Sequence, residues 1–484
     1  MSTLAELEPR GIWEHFLALT RIPRPPKQED EARAHVLTWA AERGFEVAVD
    51  EEGNAVVRVP ASDGRDHAPV VVLQAHLDMV CERDPDSPND PREGRIEVVR
   101  EDDWVSANGT TLGADNGIGV AAAMAIAEDP AVQHGPLELL FTVSEEQGLD
   151  GAKALDPELV RGTLLVNLDG TSNGALTVGC AGSAHTFVRL GLSPKPVPGG
   201  WNTVAVTVSC VRGGHSGADI AKGRVNANKA LGRLLARARR AAGFRLVSLD
   251  GGVSRNAIPR DARAVIAIAP EVEDAVRVAV DEELAALRAQ YRDTDGEVAA
   301  TVEPADAVER AADEASTQRA VDLLQALPTG VISMSPQLAG VVETSTSLTV
   351  AATEDGTLTF ASMTRSASAE ALEDVVAMIE SVARLAGAEV DVVRSYPPWR
   401  PDLDSRLLAQ AKETYARLFQ VEPRLDVVHG GLECAVIGGR VPGLEMISIG
   451  PDVEGPHAPG ERLSISGTAQ FYRLLGALLD DLSS

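Results

Sequence analysis

Apolar runs in this chain repeatedly end on acidic or imidazole side chains, and that restricts the folds open to it. APVVVLQAHLDMV carries His76 and Asp78, LELLFTVSEE ends on Glu145 and Glu146, and GTLLVNLDG carries Asp169. Asp115 in TTLGADNG and His457 in GPHAPGE sit at similar strand-to-loop boundaries. Parallel strands of an α/β domain present their C-terminal ends to a shared crevice, so groups distant in sequence converge there. Helical segments such as EDEARAHVLTWAAERG and IGVAAAMAIAED lie between the strands, with short connections. That alternation predicts an α/β sheet with covered faces. A further helix is predicted over residues 4–18, and strands in FEVAVD and NAVVRVP.

A chain of 484 residues exceeds the size at which single cores usually stop growing, so more than one domain is expected. The character changes near residue 184, where HTFVRLGLSPKPVPGG is alternating but rich in proline and glycine. Two later stretches share one design: an alternating strand, a polar turn and a long helix. They are WNTVAVTVSCVRGGHSG running into NANKALGRLLARARRAAG, and GTLTFASMTRSASAEALEDVVAMIESVARLAG. Residues 184–397 are therefore expected to form an inserted α+β domain. Residues 1–183 and 398–484 form the two parts of the α/β domain, because His457 must return to the first crevice.

Lys and Arg total 44 against 72 Asp and Glu, a net charge of −28 with histidine neutral. Such acidity disfavours non-specific contact with nucleic acid or anionic membranes. Neither a full dinucleotide-binding fingerprint nor a phosphate-loop motif occurs, so no nucleotide cofactor is expected. No apolar run reaches 18 residues and the N-terminal segment does not resemble a signal peptide. A soluble, cytoplasmic protein without a membrane or nucleic-acid partner is the expectation. Cys81, Cys180, Cys210 and Cys434 are widely spaced and make no disulfide framework.

The convergent groups suit a metal-dependent hydrolase with two divalent ions. The two-residue offset of His76 and Asp78 puts them on one side of an extended segment, where the carboxylate can orient the imidazole. Asp115 follows glycines that permit a tight loop, and a bridging aspartate would reduce the repulsion between two cations. The same residue also suits a helix cap. Glu145 and Glu146 can diverge at a strand end, one binding metal and the other accepting a proton from the attacking water. Oxygen and imidazole ligands suit zinc, with cobalt or manganese as alternatives.

The ordered motifs AHLDMVCE, TLGADNGIG, SEEQGLDGA, LLVNLDG, GGHSG, SRNAIPR, HGGLEC and GPHAPGE resemble those of the M20 metallopeptidases, and most of all its Xaa-His dipeptidase branch. The resemblance runs through nearly the whole chain. It implies a zinc-peptidase-like catalytic domain with a central mixed sheet, interrupted by a lid domain. His76, Asp115, Glu146, Asp169 and His457 become metal ligands, with Asp115 as the bridge. Glu145 becomes the general base and Asp78 the orienting carboxylate, and the Asp115–Asn116 peptide is expected to be cis.

In the lid, the resemblance makes His215 a substrate or transition-state group, acting within its own chain or across a homodimer. Arg255, Asn256, Thr344, Ser345 and Arg365 are expected near the dipeptide backbone or its carboxylate, Arg365 being best suited to a bidentate pair. His429 and Glu433 would line the branch-specific part of the catalytic pocket, with Glu433 facing a substrate ammonium or imidazole, or orienting His429. The implied activity is hydrolysis of unblocked dipeptides. A related amidohydrolase acting on N-acyl amino acids and a non-catalytic metal-dependent peptide-binding protein are the alternatives.

Overall fold

The computed structural model describes residues 6–209 and 211–484, which form two compact units. The first contains the N-terminal segment to Cys180, Trp399–Val428 and Leu432–Ser484. The second contains Ala181–Pro398 and the short piece His429–Gly431.

The first unit is built on an eight-stranded sheet. Its order is Glu46–Val49, Ala55–Val59, Leu137–Thr142, Val71–His76, Leu164–Asn167, Glu445–Ser448, Ala175–Cys180 and Arg424–Val428. The four strands from Leu137–Thr142 to Glu445–Ser448 are mutually parallel. Antiparallel pairings flank them, so the sheet is mixed. VVLQAH, LELLFT and LLVN are buried at every position, which explains why these strands read as apolar runs rather than as alternation. The helix Ala114–Glu128 is buried along most of its length; alanine and glycine leave room for close packing.

The first helix spans Arg10–Leu19, with Pro9 as its N-cap. The sequence pattern carried this helix back to residue 4. Glu8 precedes a proline, a position where helical backbone is disfavoured, so the helix starts later. Residues 4 and 5 lie outside the described chain.

The second unit contains a nine-stranded sheet of antiparallel pairs. One long strand, Asn202–Ser209, leads into the helix Ala227–Ala241; another, Thr357–Ser366, leads into Ala369–Ala386. Leu231, Leu234 and Leu235 of the first of these helices share a core with Val206, Phe244 and Ile266. The described cysteines Cys81, Cys180 and Cys434 are free and buried; Cys210 lies outside the described residues. No helix among the described residues is long and apolar enough to cross a membrane.

Candidate metal centre

The parallel strands deliver their C-terminal ends to one place, and the groups after them meet there. Asp115 lies between two imidazoles: its Oδ1 is 3.1 Å from His76 Nε2 and its Oδ2 is 3.2 Å from His457 Nε2. On the first side Asp169 Oδ1 is 3.7 Å from His76 Nε2. On the second, Glu146 Oε2 is 3.2 Å from His457 Nε2. Two groupings emerge, His76–Asp169 and His457–Glu146, each facing one oxygen of Asp115. The ligand atoms of His76, Asp115 and Glu146 lie within 4.8 Å of one another.

Electrostatics fits a place for cations. Burial pushes the Asp169 carboxyl up to about 7, and neighbouring Asp115 adds to the shift. Glu145 is held well above the ordinary carboxylate range by burial, with repulsion from Asp169 and Glu146 contributing. His457 is pushed up to about 11 by its hydrogen bonds to Asp115 and Glu146. Burial opposes protonation of His76, yet Asp115, Asp169 and Asp78 together hold its pKa well above 6.5. Carboxylates crowded at this density need positive charge between them, and a buried Glu146 Oε1 is left without a hydrogen-bond partner. The donor set of imidazole nitrogens and carboxylate oxygens fits divalent zinc, cobalt or manganese.

The surrounding polar groups set the orientation of these side chains. Asp78 lies 3.3 Å from His76 Nδ1. It also accepts the backbone N–H of Glu145 on Oδ1 and of Glu146 on Oδ2, each at 3.0 Å. That carboxylate anchors both glutamates by their backbone, while His76 Nδ1 faces it and, at 3.1 Å, the Asp78 backbone carbonyl. Ser144, just before them, has φ of +52°, a left-handed turn after the regular strand. Asn116 donates from Nδ2 to Asp169 Oδ1 at 2.8 Å, and the Asp115–Asn116 peptide is cis.

A second cluster, in the other unit, surrounds Arg365. His429 Nε2 is 2.7 Å from Ser345 Oγ, and Arg365 Nη1 donates to the Tyr396 hydroxyl at 3.1 Å. Buried Arg365 Nε and His429 Nδ1 have no partner. His215 Nδ1 accepts the backbone N–H of Gly217 and Ala218, so its proton resides on Nε2, where it can be donated. Burial and then Arg365 lower the pKa of both His215 and His429, the latter to about 4.

His429 is thus held neutral in the fold while its unfolded counterpart protonates near 6.5. Between those values the unfolded state binds the extra proton, so folding stability rises with pH through the window. This contribution is complete above 6.5 and lost as pH falls to about 4, on the order of 3 kcal/mol at most. We expect the His429 ring resonance, assigned by comparison with His429→Gln, to titrate near 4. A midpoint near 6.5 would contradict this arrangement.

The remaining expected substrate groups are placed unevenly. Arg255 stacks 5.1 Å from the Phe187 ring centroid, and Asn256 accepts Ser216 N–H through its carbonyl. Thr344 is 1% exposed and bonded to Ser366 Oγ at 2.9 Å, a strand-to-strand contact in the interior. Glu433 was expected to face a substrate ammonium or imidazole. It is fully buried; its Oε2 accepts from Gln74 Nε2 and Thr142 Oγ1 at 2.5 and 2.7 Å, and its Oε1 has no hydrogen-bond partner. His429 was expected in the catalytic domain's pocket; the tripeptide carrying it packs with the second unit.

Sequence reasoning overlooked Tyr396, Arg24 and Glu461. Glu461 stands inside the quoted GPHAPGE motif, which was the available signal. Arg24 lies among prolines in RIPRPP, with no local pattern to mark it.

The family model "Peptidase family M20/M25/M40" matches residues 72–481. Cytosol non-specific dipeptidase of Escherichia coli (strain K12) is 38% identical over 482 residues, covering 100% of this chain and 99% of that protein. The crystal structure of aminoacylhistidine dipeptidase from Vibrio alginolyticus superposes with a TM-score of 0.92 at 36% identity, covering 99% of this chain and 98% of the other. Aminopeptidase PepT from Bacillus cereus ATCC 10987 shares the fold, with a TM-score of 0.57 at 18% identity over 99% of this chain and 100% of that one. With the family model spanning most of the chain and the Escherichia coli relative matching end to end, this protein belongs to peptidase family M20/M25/M40.

Proposed function

We propose that this chain hydrolyses the peptide bond of unblocked dipeptides, preferring Xaa-His, with two divalent cations bound at the centre. The observation that carries the reading is Asp115, whose two oxygens face two separate imidazoles. His76, Asp115 and Asp169 would hold one cation, and His457, Asp115 and Glu146 the other; zinc is the proposed metal, with cobalt or manganese as alternatives. Such ions, when bound, acidify water and polarise a carbonyl. Glu145 takes the proton of the attacking water and passes it to the leaving amine. Asp78 keeps His76 and the two glutamate backbones in place. His215, with its proton on Nε2, is the proposed donor to the developing oxyanion. Arg365 is proposed to bind the substrate carboxylate.

Both relatives support dipeptides as the substrate class, but they differ in breadth: one is a non-specific dipeptidase, the other an aminoacylhistidine dipeptidase. A cytoplasmic location is proposed by analogy with the cytosolic Escherichia coli relative. A homodimer is also proposed.

Purified protein should release free amino acids from an Xaa-His panel, lose that activity to a chelator and regain it with added metal. It should act more slowly on matched non-histidine dipeptides, and sediment as a dimer. Preference for N-acyl amino acids would favour the amidohydrolase alternative. Saturable dipeptide binding without product would favour a binding protein.

A further inference from the structure

Two buried, oppositely charged side chains grip the loop that carries Asp115, and neither has a part in the chemistry above. Glu461 is 2% exposed. Its Oε2 accepts the backbone N–H of Leu112 and Gly113 at 2.8 and 2.9 Å; its Oε1 accepts those of Ala114 and Asp115 at 2.8 and 3.2 Å. These are unpaired donors at the start of the helix Ala114–Glu128, where a carboxylate is favoured. Arg24, 1% exposed, holds the opposite side. Its Nη2 donates to the Gly113 carbonyl at 2.6 Å, and its Nη1 to the carbonyls of Leu77 and Asp78 at 2.9 Å. Gly113 has φ of +71°, and a Cβ there would lie 2.5 Å from Arg24 Nη2. The loop must be bare for the guanidinium to reach it.

The two grips differ in what they join. Arg24 links the Asp115 loop to the segment just after His76. Glu461 links it to the segment of His457, four residues earlier in the chain, where φ is +66°. That segment is closed by pairing of Val453–Glu454 with Arg462–Ser464.

We infer that Glu461 is a positioning residue that sets the distance and angle between Asp115 and His457, and so selectively supports the cation shared by Asp115, His457 and Glu146. Arg24 continues to hold Asp115 toward His76 when Glu461 is changed. The inference rests on the ligand reading proposed above.

Glu461→Gln replaces one acceptor oxygen with an NH₂ group that faces backbone donors. Titration with Zn²⁺, followed by metal analysis after gel filtration, should give two ions per chain for the unmodified protein and one for Glu461→Gln, with circular dichroism unchanged. Glu138→Gln is the control: Glu138 is also buried and accepts the backbone N–H of Arg161 and Gly162, away from the centre. It should retain both ions. Glu461→Asp keeps the charge but shortens the reach. It should keep both ions, with the weaker one bound about tenfold less tightly, the scale typical of groups that orient metal ligands.

Two ions of unaltered affinity in folded Glu461→Gln would overturn the inference, as would equal weakening of both. If Glu461→Gln does not fold, normal affinities in Glu461→Asp would overturn it. Failure of the unmodified protein to bind two ions would instead defeat the underlying ligand reading.

Discussion

Glu145→Gln is expected to lower turnover by ~10²–10⁴-fold while leaving metal content and thermal unfolding close to those of the unmodified protein. The amide is nearly isosteric with the carboxylate, and the backbone N–H of residue 145 still reaches Asp78 Oδ1. What disappears is the ability to take a proton. Because Glu145 sits among Asp169 and Glu146, neutralising it removes a nearby negative charge and relieves repulsion in the metal-free form, so metal affinity should fall only modestly, far less than on loss of a ligand. KM for the dipeptide should change little beside kcat. Metal analysis and steady-state kinetics on one preparation separate the effects. A large loss of metal in Glu145→Gln, or unimpaired kcat, would refute the assignment of Glu145 as base and Glu146 as ligand.

Asp115→Ala is expected to abolish measurable turnover and to strip both cations, not one. His76 faces Oδ1 and His457 faces Oδ2, so this one truncation removes an oxygen from each ligand set. Glu146→Ala should behave differently. Glu146 pairs with His457 at 3.2 Å, and its loss should spare the ion on the His76–Asp169 side. The comparison is best made by calorimetric Zn²⁺ titration of the two variants after chelator treatment, with circular dichroism to check folding. Full two-ion binding by Asp115→Ala would sink the bridging role, whatever its effect on activity.

Much of the first unit was legible because its strands are buried on both faces. VVLQAH, LELLFT and LLVN could hardly be anything but interior strands, and polar groups just beyond them had to emerge at strand ends. Asp115 was harder to read, since the same residue serves as well at a helix start, and here it does lie at one. Glu433 shows the limit. The motif suggested a partner for a substrate ammonium or imidazole, or for His429; the side chain is buried, with Gln74 and Thr142 on Oε2 and no hydrogen-bond partner on Oε1. His429 and Glu433 are close in sequence, yet they pack with different units.

The sequence by itself determined which segments become buried strands, which residue types stand at their ends, and the family to which those motifs point. Such features are local: apolar continuity, turn residues and short spacings are visible within a few residues of chain. Only the tertiary structure decided that Asp115 offers one oxygen to His76 and the other to His457, and that Asp78 holds both glutamates by their backbone. It alone brought Glu461 and Arg24 to opposite sides of one loop. A buried charge is stable only where distant backbone groups satisfy it. Those partners are chosen by the packing of the sheet and its loops, and they leave no periodic trace in the chain.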